Sequence, residues 1–261
     1  MRIATWNVNS LNARMPRVQE WLSDVQPDVL CLQETKMADV VFPASVFADL
    51  GYDTVHHGDG RWNGVAILSR VGLQDAAAGF GGAPDADGCR LLAARCGGVR
   101  VHCVYVPNGR SVDSEHYVAK LAWLRALRDL LDSTVTPADD VVVCGDFNVA
   151  PDDRDVWDPV ALEGSTHVTP AERRAVQELQ EWGLVDAFRL HYEQGGLFTW
   201  WDYRGGSFHR GLGMRIDLVL VTPSVADRCV AALVDRNARK GRQPSDHAPV
   251  LIDIGPAQGC R

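Results

Sequence analysis

Short apolar runs recur along the whole chain, and each stops at a polar residue that a core strand does not need. The runs are Ile3–Trp6, Val29–Leu32, Val65–Leu68, Val99–Val106, Val141–Cys144, Ile216–Val221 and Val250–Ile254. Runs of this length, rich in β-branched residues and bounded by Gly or polar groups, read as strands buried on both faces. Amphipathic patterns lie between some of them. Val18, Trp21, Leu22 and Val25 mark one helix, and Tyr117, Leu121, Leu124, Leu127 and Leu131 mark a longer one. A third carries signals at both ends, with Thr169 as N-cap, Pro170 at the first helical position, Glu172 as capping-box partner and Gly183 as the stop. The hairpin-like stretch from Gly64 to Val106 breaks any simple strand–helix alternation. The expected fold is therefore an α+β sandwich of two sheets flanked by helices, in one domain spanning 1–261. Trp6-Asn7-Val8 is echoed by Phe147-Asn148-Val149, each after a strand, as two similar halves would give.

The formal net charge of -8, from 26 Lys and Arg against 34 Asp and Glu, argues against a protein that binds a polyanion by blanketing it. It leaves room for carboxylates gathered around a cation beside a locally basic face. Seven cysteines include no C-x-x-C pair, and Cys31, Cys103 and Cys144 sit inside apolar runs as small hydrophobes. Neither a leader-like opening nor an apolar stretch long enough to span a bilayer is present in the sequence. A cytoplasmic protein with no membrane partner is expected.

The polar residues at the strand ends have coherent chemistry. In the sequence, Glu34, Asp146, Asp246 and the amides of Asn7 and Asn148 are hard oxygen ligands, suited to Mg²⁺ with Mn²⁺ as a substitute, and His247 stands beside Asp246. Asp217 is placed to hold the His247 tautomer and raise its pKa. A hard cation with an acid–base pair is what phosphodiester hydrolysis requires. Competing signatures, G-x-S-x-G and G-x-x-x-x-G-K-[ST], are absent from the sequence.

Seven segments follow in order: Thr5-Trp6-Asn7, Leu32-Gln33-Glu34-Thr35-Lys36, Gly64-Val65-Ala66-Ile67-Leu68, Tyr105-Val106-Pro107-Asn108-Gly109, Gly145-Asp146-Phe147-Asn148, Arg215-Ile216-Asp217 and Ser245-Asp246-His247-Ala248-Pro249. Together they resemble the motif series of the exonuclease III family, within the endonuclease/exonuclease/phosphatase superfamily. Gly183-Leu184-Val185-Asp186 and Phe198-Thr199-Trp200-Trp201-Asp202-Tyr203-Arg204 narrow the resemblance to its DNA repair nucleases. The resemblance implies a four-layer αββα sandwich with two mixed β-sheets packed face to face. It implies Mg²⁺-dependent cleavage 5′ to abasic sites, with 3′→5′ exonuclease and 3′-phosphatase activity, on duplex DNA carrying abasic sites or blocked 3′ ends, by a monomer.

Carried over by motif, Glu34 is the principal metal ligand, assisted by Asn7 and Asp246, with Asp146, Asn148 and His247 completing the metal set. Asp146 orients or deprotonates water, or protonates the leaving group, while Asn148 holds the phosphate. Asp217 pairs with His247, and Tyr105 sits beside the scissile phosphate. The identity of the general base, Asp146 or His247, and the number of metals stay open. Trp200, Met214 and Ile216 form the abasic-sugar pocket, and Arg90, Asn108, Arg110 and Lys120 contact the DNA backbone. The chain departs from the family pattern at Leu11-Asn12-Ala13-Arg14, usually Leu-Arg-Ala-Arg, and at Asp87-Gly88-Cys89 before Arg90. Two rival readings are a superfamily phosphoesterase acting on a non-DNA phosphodiester, which leaves the Trp200 segment without purpose, and a catalytically inactive DNA-binding protein.

Overall fold

Every apolar run named above forms a strand or most of one. The structure, a computed structural model, describes residues 1–81 and 88–256; the Asp87 end of the segment before Arg90 and Cys260 lie outside them. In chain order the strands are β1 (Arg2–Asn7), β2 (Val29–Gln33), β3 (Asp53–His57), β4 (Val65–Ser69), β5 (Gln74–Ala78), β6 (Leu91–Cys96), β7 (Val99–Tyr105), β8 (Val141–Asp146), β9 (Val185–Asp186), β10 (Trp200–Trp201), β11 (Gly213–Met214), β12 (Asp217–Val221), β13 (Cys229–Val234) and β14 (Val250–Ile254). The α-helices are α1 (Leu11–Val25), α2 (Ala44–Ala48), α3 (Glu115–Thr134), α4 (Pro170–Trp182), α5 (Ser207–Arg210) and α6 (Pro223–Ala226).

Two six-stranded sheets run β13-β14-β1-β2-β4-β3 and β9-β12-β8-β7-β6-β5, and β10 with β11 forms a separate two-stranded ladder. Each large sheet has one parallel pair at its centre, β1/β2 in the first and β7/β8 in the second. The neighbours on either side are antiparallel. β1 and β8 thus hold equivalent places, which is where the Asn7 and Asn148 echo falls.

The apolar faces explain the layering. Ile3, Cys31 and Ile67 of the first sheet meet Val101, Cys103 and Cys144 of the second in one inter-sheet core. Leu11, Val18 and Leu22 of α1, with Phe47 of α2, cover the outer face of the first sheet. Trp123, Leu124, Leu127 and Leu131 of α3, with Val176 and Leu179 of α4, cover the second. The result is helix, sheet, sheet, helix, with the ends of β1, β2, β8 and β12 opening on one edge of the sandwich. No helix among the described residues is long and apolar enough to cross a membrane.

Candidate active site

Gly145 lets β8 reach that edge. Its φ is 153°, and an added Cβ would stand 1.8 Å from the Val104 carbonyl oxygen, so only glycine allows β7 and β8 to pair there. Asp146 follows at the strand end. Asn148, two residues on, has a left-handed backbone with φ 51° and donates its amide to Val106 O at 3.0 Å and Asp146 Oδ2 at 3.2 Å. From the first sheet, Asn7 Nδ2 donates to the same Asp146 Oδ2 at 2.9 Å and to Glu34 Oε1 at 2.8 Å. The two echoed asparagines therefore hold one carboxylate oxygen from opposite sheets.

Asp217 pairs with Asp146 across the β12–β8 ladder, and its carboxylate receives His247 Nδ1 at 2.9 Å. The other ring nitrogen of His247 lies 3.8 Å from Asp146 Oδ2. Burial alone would lower the His247 pKa, but Asp217 and then Asp146 outweigh it and raise it to about 10, which keeps the ring cationic at neutral pH. Burial raises the Asp146 carboxyl to about 7, with His247 opposing and Asp217 and Glu34 adding to the rise. Tyr105 is also pushed well up, chiefly by burial and then by Glu34, so its hydroxyl remains a donor.

Glu34 is less enclosed. It sits in a left-handed turn, φ 53°, with Oε2 at 2.9 Å from the Lys36 ammonium, which also reaches Asn9 Oδ1 at 2.6 Å. One oxygen each of Glu34 and Asp146 and a ring nitrogen of His247 lie within 4.8 Å of one another, and the two carboxylates are the ligands while the His247 ring is protonated. Carboxylate oxygens dominate this set and its flanking amides, which fits a hard divalent cation. Asp246 shares the pocket outside that cluster, and its oxygens accept from Asn9 at 3.0 Å and from Trp200 Nε1 at 3.1 Å.

The pocket holds about 160 Å³ and is lined by Glu34, Tyr105, Asp146, Asn148, Asp246 and His247 with Asn108, His167, Trp200, Met214 and Ile216. Trp200 faces it while Trp201, on the opposite side of the strand, is 1% exposed in the core. Arg215 ties the Met214–Ile216 segment to the interior through Asp155 at 2.6 Å and Asp186 at 2.8 Å. Beside the pocket lies a wider groove of about 520 Å³, lined by Lys36, Trp62, Arg90, Asn108, Arg110 and His116 among others. Arg110 and Asn108 are exposed there, and Arg90 stacks over the Tyr105 ring at 4.4 Å.

Lys120 corrects the sequence expectation. It is fully buried, paired with Glu172, and donates to the Asn148 carbonyl at 2.6 Å, so its ammonium is turned away from any DNA phosphate. Sequence reasoning also passed over Asn9, Lys36 and His167. Asn9 lies two residues past Asn7 and Lys36 two past Glu34, a spacing that could have found both. His167, in the irregular stretch before α4, carries no such signal.

Residues 4–247 match the Endonuclease/Exonuclease/phosphatase family. The chain is 32% identical to exodeoxyribonuclease III of Haemophilus influenzae, over 97% of its own length and 100% of that protein. An AP endonuclease from Archaeoglobus fulgidus superposes with a TM-score of 0.94 at 40% identity, covering 97% of this chain and 99% of that one. The 3′-5′ exonuclease NExo from Neisseria meningitidis gives 0.94 at 42% identity over the same shares. NExo, described as a 3′ phosphatase and bound to a product DNA hairpin, gives 0.94 at 41%, covering 98% of this chain and 99% of that one.

Proposed function

The chain belongs to the endonuclease/exonuclease/phosphatase family, as an enzyme of its exonuclease III and AP endonuclease group of phosphodiester hydrolases, and from that premise we propose that it is a Mg²⁺-dependent, monomeric DNA repair nuclease. It cleaves 5′ to abasic sites and removes nucleotides and phosphates from 3′ ends of duplex DNA. The observation that carries this reading is the adjoining of two features: an acid–base and carboxylate cluster in a small pocket, and a cation-lined groove running away from it.

Glu34 and Asp146 would hold the cation, which would supply charge stabilisation to the phosphoryl oxygens. The chain's own residues do the rest. Asn148 and Asn108, whose amides meet at 3.1 Å, orient the phosphate. Cationic His247, steadied by Asp217, offsets the charge that develops on it, and the Tyr105 hydroxyl donates from the groove side. Asp146 is the better base for water, because His247 already carries its proton. Arg90 and Arg110 position the duplex through its backbone without reading sequence.

One observation favours a narrower activity. The His167 ring shares the wall of the 160 Å³ pocket with Met214, Ile216 and Trp200, an added bulk that in this narrower reading hinders an internal abasic sugar more than a smaller terminal phosphate. One gel separates the readings. Duplexes carrying an internal abasic analogue, a nick with a 3′ phosphate, or a recessed 3′ end are incubated with Mg²⁺ or EDTA. Cutting of all three with Mg²⁺ supports the broad reading, and rapid loss of the 3′ phosphate beside slow abasic incision supports the narrow one. No cleavage of any substrate rejects both.

A further inference from the structure

Lys120 and Glu172 form an ion pair in which neither side chain reaches solvent. A pair so placed seldom stabilises a fold more than apolar residues of the same volume, because both charges lose their water. Its surroundings point to another use. The Lys120 ammonium lies behind the pocket and donates to the main-chain carbonyls of Asn148 at 2.6 Å and Asn108 at 3.3 Å. In front, the side chains of those two residues meet, Asn108 Nδ2 donating to Asn148 Oδ1. Asn148 is left-handed, a conformation that asparagine adopts more readily than other non-glycine residues.

Glu172 completes the frame. Its Oε1 accepts from His167 N at 2.9 Å and Thr166 Oγ1 at 3.0 Å, and its Oε2 accepts from Thr169 N at 3.1 Å and Thr169 Oγ1 at 2.7 Å. The capping box that starts α4 is thus also the anchor of the ammonium.

We propose that Lys120 and Glu172 are positioning residues of the nuclease site: one buried ammonium, held by the capping glutamate of α4, fixes the carbonyls of Asn108 and Asn148 and thereby aims both amides at the phosphate. Neither residue touches substrate. The inference rests on the phosphodiesterase reading above.

The test compares wild type with the double variant Lys120→Met, Glu172→Gln on the nicked 3′-phosphate duplex, well below either melting temperature. The double variant removes both charges of the pair and leaves neither unpaired, and glutamine still serves a capping box, so its circular dichroism and melting stay close to wild type. Its kcat is expected to fall about ten- to a hundredfold through misplaced amides, with KM within about twofold. A folded double variant that turns over at the wild-type rate overturns the proposal. If the double variant does not fold, Glu172→Gln alone decides. A kcat loss of roughly tenfold at unchanged KM supports the proposal, and an unchanged kcat overturns it. A wild-type protein inert on every substrate overturns the phosphodiesterase reading and this inference with it. An active wild type beside an equally active variant overturns the inference alone.

Discussion

At the end of β1, Asn7 and the neighbouring Glu34 meet a lysine and a second asparagine, Lys36 and Asn9, at a partly open rim. At the end of β8, the equivalent place in the other sheet, Asp146 is 1% exposed and faces Asp217, also 1% exposed, and His247 at 4%. Both ends offer a carboxylate and an asparagine. What differs is burial. The open end suits a cation that must exchange with solvent and keep water ligands, whereas the closed end forces charges to share protons and moves their pKa values. Equivalent strands in one duplicated order of directions thus set one carboxylate where cation and water exchange and the other where protons are shared, on two sides of the same cluster.

The largest expected effect tests the closed end. Asp146→Asn keeps the shape and removes the carboxylate, and single-turnover cleavage should drop by about a thousandfold or more with circular dichroism unchanged. Glu34→Gln tests the open end: Mn²⁺ affinity by calorimetry should fall at least about tenfold, and excess Mg²⁺ should restore much of the rate. Rescue by Mg²⁺ of the Asp146 variant but not the Glu34 variant would reverse the division of labour.

A pH titration of the metal-free protein comes next. The folded pKa of His247 is raised to about 10 from an unfolded value near ~6.5. Its stabilisation is therefore fully present below pH ~6.5 and is lost as pH rises toward about 10, a decline on the order of a few kcal/mol in chemical denaturation. Asp217→Asn should flatten that decline. The smallest effect belongs to the groove. Arg110→Ala should weaken DNA binding a few-fold, equally for unrelated sequences, and reduce the salt slope by about one.

The central strands were legible because burial on both faces demands continuous apolar residues, as Val65–Leu68 and Val141–Cys144 show. Edge strands were not. β5 (Gln74–Ala78) is exposed throughout and β3 (Asp53–His57) mostly half-buried, so neither needs an apolar run. The site residues at strand ends were readable from their motifs, and the structure brings Glu34, Tyr105, Asp146, Asn148, Asp246 and His247 to one pocket, with Asn7 and Asp217 hydrogen-bonded to its wall. Lys120 misled because a lone lysine normally means a solvated surface. It lies four residues before Leu124 and seven before Leu127, on the stripe α3 buries. That spacing is helical and apolar in every other member, a signal of an interior position that the DNA-contact reading of Lys120 overlooked.

Asp146 Oδ2, grasped by Asn7 from one sheet and Asn148 from the other, straddles the seam between two packed layers. The reactive oxygen therefore works as a gauge of how the layers register. A slip of about an ångström would stretch the Asn7 bond beyond hydrogen-bonding range while each sheet kept its own ladder intact. Heat, pressure or mild denaturant should accordingly silence the enzyme while its secondary structure is still whole.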